Sequence, residues 1–375
     1  MPDLVALAVP GGPVFVDLLR RIWDAGDAAV PVDPRLPRPA VERLLAATRP
    51  ARLVDASGET HRLEGGRGVE PGDALVIATS GSTGEPRGVV HTHASLRASA
   101  RATNRALGTT DGDRWLCCLP VAHIAGLSVI TRALEAAVPV EVLPGFDAAA
   151  VEAAARERGA TLTTLVPTAL ARIDPSRFRR IVVGGAAPPA GLPTNAVVSY
   201  GLTETASAVT YDGRPLEGVE LRIVDGEIQV RGPMLLRAYR DGTDPRTTDG
   251  WLPTNDEGEL DEAGRLVVHG RRGEVVNTGG EKVWPTTVER VLQTHPSVAE
   301  VAVVGRPDPE WGQVVVAVVA PADPDDPPSL DALREHVRAE LPAYAAPRRL
   351  HLVRSLPRTV LGKLDRRRLS APSRP

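Results

Sequence analysis

The run "ATSGSTGEPRGVVHTH" (residues 78–93) crowds glycine and small hydroxyl residues directly behind the apolar stretch "DALVI". Backbone N–H and side-chain O–H donors at that density can wrap the oxygens of a phosphate chain. The spacing is not that of a Walker A loop, which ends Gly-Lys-Ser/Thr. A flexible surface linker is the bland alternative, and the position between a strand and a helix speaks against it. Lysine usage is the second oddity. Of 44 basic residues only two, Lys282 and Lys363, are lysine. In "LPRTVLGKLDRRRL" Lys363 precedes an arginine run that reads as solvated surface. A compact ammonium can sit between oxygens of two different anions, where a planar guanidinium favours one bidentate partner. Lys282, in "TGGEKVWP", reads equally well as a solvent-facing lysine. His91 and His93 have no third ligand nearby and are expected to pack rather than bind metal, as are Trp251 and Trp284.

The elements that must position these residues follow from the hydrophobic pattern. "DALVIATS" (73–80) reads as a strand running into the loop, and "THASLRASARATNRAL" as the helix that follows. "RWLCCLP", "PVEVLP", "TLTTLVP" and "RRIVVGGA" read as strands, with "AGLSVITRALEAA" and "DAAAVEAAARERG" as helices between them. That alternation predicts an α/β fold with parallel-type sheets covered by helices. After Tyr200 the texture changes. "GVELRIVDGEIQVRGPML" and "GELDEAGRLVVHG" are strand–turn–strand patterns with Asp-Gly and Ala-Gly turns, which predict an antiparallel β-subdomain. "TTVERVLQTH", "VAEVAVVG", "QVVVAVVAP", "SLDALREHVRAEL" and "RRLHLVRSL" then predict a compact α+β unit in the order helix, strand, strand, helix, strand. The expected division is 1–270 and 271–375, with a hinge near 271–273.

Bulk properties narrow the classes. At 375 residues the chain can hold two domains, and 42% hydrophobic with 24% charged residues is ordinary for a soluble protein. A net charge of −3 argues against a bulk binder of nucleic acid or membrane surfaces. The two cysteines, Cys117 and Cys118, are adjacent and can build neither a disulfide framework nor a thiolate zinc cage, which suits a reducing compartment. The N-terminal stretch carries Asp3 and Asp17, breaks at "PGGP" and lacks a basic lead, so neither a signal peptide nor a membrane span is expected there. The expected location is cytoplasmic.

"TSGSTGEPRGV" resembles the phosphate loop of the adenylate-forming superfamily, which includes acyl-CoA synthetases, nonribosomal adenylation domains and luciferases. Four further segments resemble that family in the same order: "LPVAHIAGL", "YGLTETAS", the long stretch from "GWLPTNDEGEL" to "TGGEKVWPTTVE", and "LPRTVLGKLDR". The resemblance spans 78–366 and is looser over the first seventy residues. It implies a large N-terminal adenylation domain and a small mobile C-terminal domain. It also implies a two-step reaction: a carboxylate attacks the α-phosphate of ATP to give acyl-AMP and pyrophosphate, and a thiolate then displaces AMP. Thr79, Ser80, Gly81, Ser82, Thr83 and Gly84 are implied around the β- and γ-phosphates, with Arg87 where the family usually has lysine. Gly184, Gly185, Ala186, Tyr200 and Gly201 are implied at the nucleotide. Thr203 is implied at the α-phosphate, Glu204 on Mg²⁺, and Asp256 with Arg271 on the ribose. The family's Thr-Gly-Asp is Thr254-Asn255-Asp256 here, and Asn tolerates the positive φ of glycine. Lys363 is implied between the carboxylate and the α-phosphate. Gly279 and Gly280 belong to a loop that swings into the site after adenylation. Gly273 stands at the hinge, where Asp or Lys is common. His123 reads either as a gate or steering group for the acyl carboxylate or as a structural residue in a Pro-rich turn.

The chain is short for the superfamily, and its texture resembles the short bacterial o-succinylbenzoate–CoA ligases of menaquinone biosynthesis. That resemblance implies ATP, Mg²⁺ and coenzyme A as cofactors, and o-succinylbenzoate as the acid. It leaves room for a homodimer and implies no nucleic-acid partner. A second carboxylate on the acid needs a polar partner, for which Thr168, Ser199 and Ser207 are candidates. A ligase for another aryl or short acyl acid, a stand-alone adenylation enzyme loading a carrier protein, and a silent nucleotide-binding homologue are the alternatives.

Overall fold

The computed structural model describes every residue except 81–85, 186, 187, 189, 190, 359–363 and 371–375. Among the described residues the strands form two seven-stranded sheets, one of four strands and one of five. In the first sheet Leu4–Leu7, Ala28–Pro31, Arg52–Val54 and Asp73–Ser80 run parallel, with antiparallel strands at both edges. In the second, Trp115–Cys117, Val140–Val142, Leu162–Leu165, Arg180–Val183 and Ala196–Leu202 are parallel, and Ser207–Tyr211 returns antiparallel.

The helices Pro13–Asp24, His93–Leu107 and Ile124–Ala136 join both sheets in one hydrophobic core. Phe15, Leu19, Leu96, Leu107, Leu127 and Ile130 meet Leu75 and Ile77 of the first sheet and Trp115 and Leu162 of the second. His93–Leu107 starts on a capping box made by Thr92 and Ser95 and stops at Gly108 in the left-handed region. The β-branched runs in the strands and this two-sided burial are what a helix-covered parallel sheet requires.

One expectation needs correcting. No helix follows the glycine- and hydroxyl-rich loop directly, because "PRGVVHT" is itself a strand, Pro86–Thr92, paired antiparallel to Asp73–Ser80. Its buried Val89, Val90 and His91 outweigh the loop-like residues before it. Residues 81–85 between these two strands lie outside the described residues, and no helix directly follows them because the chain resumes as the strand Pro86–Thr92.

The antiparallel subdomain is the four-stranded sheet of Glu220–Val224, Glu227–Arg231, Leu252–Leu260 and Leu266–Arg271. Its Asp225-Gly226 turn has φ of 49° and 80°, as a two-residue hairpin matched to strand twist demands. Beyond a single 3₁₀ turn, Arg272–Glu274, lies the five-stranded sheet of Val276–Thr278, Glu281–Val283, Val298–Asp308, Gly312–Pro321 and Arg349–Leu352. The helices Pro285–Leu292 and Leu330–Arg338 cover it, and Val276, Val288, Leu292, Val303, Val319 and Leu333 form a core that, among the described residues, contains none from before 276. No helix of the described residues is long and apolar enough to cross a membrane.

Candidate active site

The second sheet ends on the segment that carries most of the expected chemistry. Ala196–Leu202 runs into the 3₁₀ turn Thr203–Thr205, and Ser207–Tyr211 leads back. Gly201 is required there by space alone, since a Cβ would lie 2.0 Å from the Ser207 carbonyl oxygen. Ala206 and Ser207 hold φ of 54° and 126°, conformations costly for residues with a side chain.

Several hydrogen bonds hold this turn. The buried Thr205 hydroxyl donates to the Ser207 carbonyl at 2.6 Å. His91 Nε2 donates to the Thr203 carbonyl at 2.6 Å, which fixes that nitrogen as the protonated one. The Leu236 N–H reaches the Glu204 carbonyl at 2.8 Å, and the Ser99 hydroxyl the Ala206 carbonyl at 3.2 Å. A frame fixed from several directions carries the half-buried Glu204, whose Oε1 accepts a hydrogen bond from the Tyr239 hydroxyl at 3.0 Å.

The antiparallel pair Asp73–Ser80 and Pro86–Thr92 lies beside it. Thr79 and Arg87 are paired across the hairpin, and the Thr79 hydroxyl donates to the Arg87 carbonyl at 3.3 Å. The Arg87 guanidinium stacks 3.7 Å from the Tyr239 ring centroid and pairs with Asp241 at 3.3 Å. Ser80 closes its strand. Gly81, Ser82, Thr83 and Gly84 lie outside the described residues, as do Ala186 and Lys363.

The two expected ribose residues are brought together. Asp256 and Arg271 face each other across neighbouring strands, Arg271 Nε standing 3.0 Å from Asp256 Oδ1. The Tyr200 hydroxyl donates to Asp256 Oδ2 at 2.8 Å. Burial pushes the Asp256 carboxyl above its ordinary value, Arg271 and the Tyr200 hydroxyl oppose the shift, and the Glu204 charge adds to it. Asn255 sits at φ 58° with its N–H on the Glu227 carboxylate at 2.9 Å, so the residue in the family's glycine position does adopt the left-handed turn.

Other expected residues lie apart from this centre. Gly184 follows the strand Arg180–Val183 and leaves no room for a Cβ, which would stand 2.3 Å from the Ser199 hydroxyl; Gly185 comes next. His123 forms the N-cap position of Ile124–Ala136. Gly279 and Gly280 are the two turn residues of a tight hairpin between Val276–Thr278 and Glu281–Val283, with φ of 60° and 87°. Lys282 is exposed on that hairpin. Gly273 is in the 3₁₀ turn at ordinary φ, with open space where a Cβ would be, so this conformation does not demand glycine.

Three features were not read from the sequence. Arg132 is 1% exposed inside the apolar helix Ile124–Ala136. It donates to the Thr164 hydroxyl at 3.1 Å and the Ser207 hydroxyl at 2.9 Å, while Nε has no hydrogen-bond partner and the guanidinium no ion pair among the described residues. Its signal was a lone charge in "GLSVITRAL". Tyr239 is one of four tyrosines and lay outside every motif. The arginine run after Lys363 is not uniformly solvated: Arg366 is one-fifth exposed, pairs with Glu289 at 2.7 Å and Glu274 at 3.0 Å, and donates to the Val303 carbonyl at 3.0 Å. Among the second-carboxylate candidates, Thr168 is exposed, Ser199 donates to the Val183 carbonyl at 3.2 Å, and Ser207 serves Arg132.

The family description "AMP-binding enzyme" matches residues 2–240, and its C-terminal domain matches 287–363. The chain belongs to the AMP-binding enzyme family. As such an enzyme it is 40% identical over 357 residues to the "Probable 2-succinylbenzoate--CoA ligase" of Mycobacterium tuberculosis H37Rv, covering 88% of this chain and 92% of that one. Its fold is similar to that of o-succinylbenzoate CoA synthetase from Bacillus subtilis, solved with the acyl-adenylate intermediate, at a TM-score of 0.87 and 28% identity over 99% of this chain and 88% of that one. It is also similar to the amide bond synthetase of Marinactinospora thermotolerans, at a TM-score of 0.85 and 29% identity over 98% and 89% of the chains. The large N-terminal and small C-terminal domains of the family are thus both present.

A hard cation fits the chemistry of the donor set. Glu204 offers a carboxylate oxygen beside Tyr239, and Mg²⁺ is commonly held by one or two carboxylates together with phosphate oxygens.

Proposed function

We propose that this AMP-binding enzyme is a cytoplasmic 2-succinylbenzoate–CoA ligase that works in two steps. The observation that carries the reading is that Glu204, which the hairpin reaches through Arg87 and Tyr239, stands on the same strand-and-turn segment as Tyr200 of the Tyr200–Asp256–Arg271 cluster. A nucleoside triphosphate fits that pairing: an aromatic and a carboxylate for its nucleoside, and cationic and backbone donors for its phosphates.

In the first step a carboxylate oxygen of the acid bonds to the α-phosphorus of ATP, and the bond to the bridging oxygen of pyrophosphate breaks. Asp256 accepts hydrogen bonds from the ribose hydroxyls, with Arg271 beside it. Thr203 contacts the α-phosphate, and Arg87 with the hairpin donors holds the departing phosphates. Mg²⁺, which Glu204 would hold, supplies neutralisation of charge on the phosphate oxygens. Lys363 serves the incoming carboxylate and the α-phosphate together. In the second step the thiolate of coenzyme A attacks the acyl carbon and AMP leaves. The small domain turns about 271–273 between the two steps, bringing the Gly279-Gly280 hairpin towards the site.

Arg132 is the counter-ion we assign to the second carboxylate of the acid. A guanidinium enclosed in a protein without an ion partner is costly, and a dianionic substrate offers the missing charge.

Pyrophosphate release from ATP with Mg²⁺ tests the reading. Release is expected with o-succinylbenzoate, with little from its analogue lacking the aromatic carboxylate or the succinyl carboxylate, and coenzyme A should then yield the thioester. Release with other acids alone would overturn the substrate. Release followed by amide rather than thioester formation would overturn the acceptor.

A further inference from the structure

Tyr239 makes two contacts of different kinds at once. Its ring face carries the Arg87 guanidinium at 3.7 Å, and its hydroxyl donates to Glu204 Oε1 at 3.0 Å. The tyrosine is itself tightly placed. Ala238–Tyr239 is an edge strand of the first sheet, with Tyr239 opposite Val89 on the strand that carries Arg87, so the stacked pair is a diagonal cross-strand neighbour. On one side Arg237 forks onto the buried Asp73 at 2.7 and 2.9 Å. On the other the buried Arg240 guanidinium donates to the carbonyls of Thr48, at 2.8 Å, and Gly68, at 2.9 Å, and to that of Arg67. The Arg240 N–H also reaches the Gly88 carbonyl at 2.7 Å, and the Leu236 N–H binds the Glu204 main chain. The segment 236–240 is therefore fastened to the hairpin and to the Glu204 turn alike.

We propose that Tyr239 is a positioning residue for the first step, setting the Glu204 carboxylate with its hydroxyl and the Arg87 guanidinium with its ring, so that both address one phosphate chain at a fixed spacing. This rests on the assignment of Glu204 to Mg²⁺ and of Arg87 to the phosphates. The hydroxyl binds Oε1 and leaves Oε2 to turn towards a cation. A flat guanidinium can lie on an aromatic face while its edge stays available for phosphate oxygens, so the shelf suits arginine at this position. Asp241, paired with Arg87 on the exposed side, is the group that phosphate displaces.

The test is calorimetric binding of ATP, without acid, across a series of Mg²⁺ concentrations and in chelator. Tyr239→Phe keeps the ring and loses the hydroxyl, and should raise the half-saturating Mg²⁺ by about tenfold, as loss of a hydrogen bond to a metal ligand does. Its affinity for ATP in chelator should be unchanged. Tyr239→Leu should in addition weaken binding in chelator by about two- to fivefold, the scale of an exposed cation–π contact. That extra loss should vanish when Arg87→Ala is already present, because the two residues act as a pair. If Glu204→Gln shifts the Mg²⁺ dependence and Tyr239→Phe does not, the positioning role of Tyr239 is wrong. If Glu204→Gln leaves it unmoved, the assignment of Glu204 to the metal is wrong, and the inference falls with it.

Discussion

His91 illustrates how one enclosed side chain holds a site through its main chain. Burial lowers its pKa from 6.5 to about 4, against the opposing pull of the Thr203 carbonyl. A histidine whose folded pKa lies below its unfolded value binds fewer protons folded than unfolded. Stability is therefore untouched above 6.5 and falls as pH drops from there towards about 4. Relative to His91→Gln, which keeps an N–H for that carbonyl, the wild type should lose about 2 kcal/mol between about pH 7.5 and pH 5. Urea denaturation at the two pH values measures it, and equal losses in both proteins would rule the account out. The sequence was enough to expect packing rather than metal binding from His91. It could not say which carbonyl the ring would hold, because Thr203 lies 112 residues away.

The elements were legible wherever a hydrophobic period was long. The helices His93–Leu107 and Ile124–Ala136, the Asp225-Gly226 hairpin and the C-terminal helix–strand series all follow from pattern and turn chemistry. The strand Pro86–Thr92 was hidden, since its residues read as the tail of a glycine-rich loop until pairing with Asp73–Ser80 gives them a partner. Asn255 is a local requirement read correctly from residue chemistry. Its side chain is exposed, so its backbone conformation dominates the effect of replacing it. Asn255→Gly should change stability by only a few tenths of a kcal/mol, whereas Asn255→Val should cost about 1–2 kcal/mol. Thermal unfolding distinguishes them, and an equal effect from both substitutions would count against the turn. The valine variant should also bind ATP more weakly, since Asp256 follows directly.

At the scale of the molecule, the separate core beyond residue 276 is joined to the four-stranded sheet through Arg272–Glu274, and at one seam the Thr286 hydroxyl donates to the His269 carbonyl at 2.5 Å. His269 and Trp284 stack there at 5.9 Å. A contact of this size can be exchanged for another during a domain rotation. Lys363→Ala should abolish acyl-AMP formation and spare thioester formation from supplied acyl-AMP, and Gly273→Pro should impair the passage between the two steps. Measuring the half-reactions separately decides both: equal loss of both half-reactions in Lys363→Ala, or normal turnover in Gly273→Pro, would refute the alternation. Gly273→Ala, by contrast, meets open space and should leave the fold intact.

The sequence by itself determined the layered α/β class, the antiparallel subdomain, the α+β unit at the C-terminal end and the family, because local periodicity and short contiguous motifs carry that information. The resemblance it carries also implied Tyr200 at the nucleotide, Glu204 on Mg²⁺, and Asp256 with Arg271 on the ribose. Only the tertiary structure decided how they meet. The stacking of Arg87 on Tyr239, the grip of His91 on Thr203 and the hydrogen bond of the buried Arg132 to Ser207 join residues 75 to 152 positions apart. Such contacts arise when two sheets close on shared helices, and no local pattern records them.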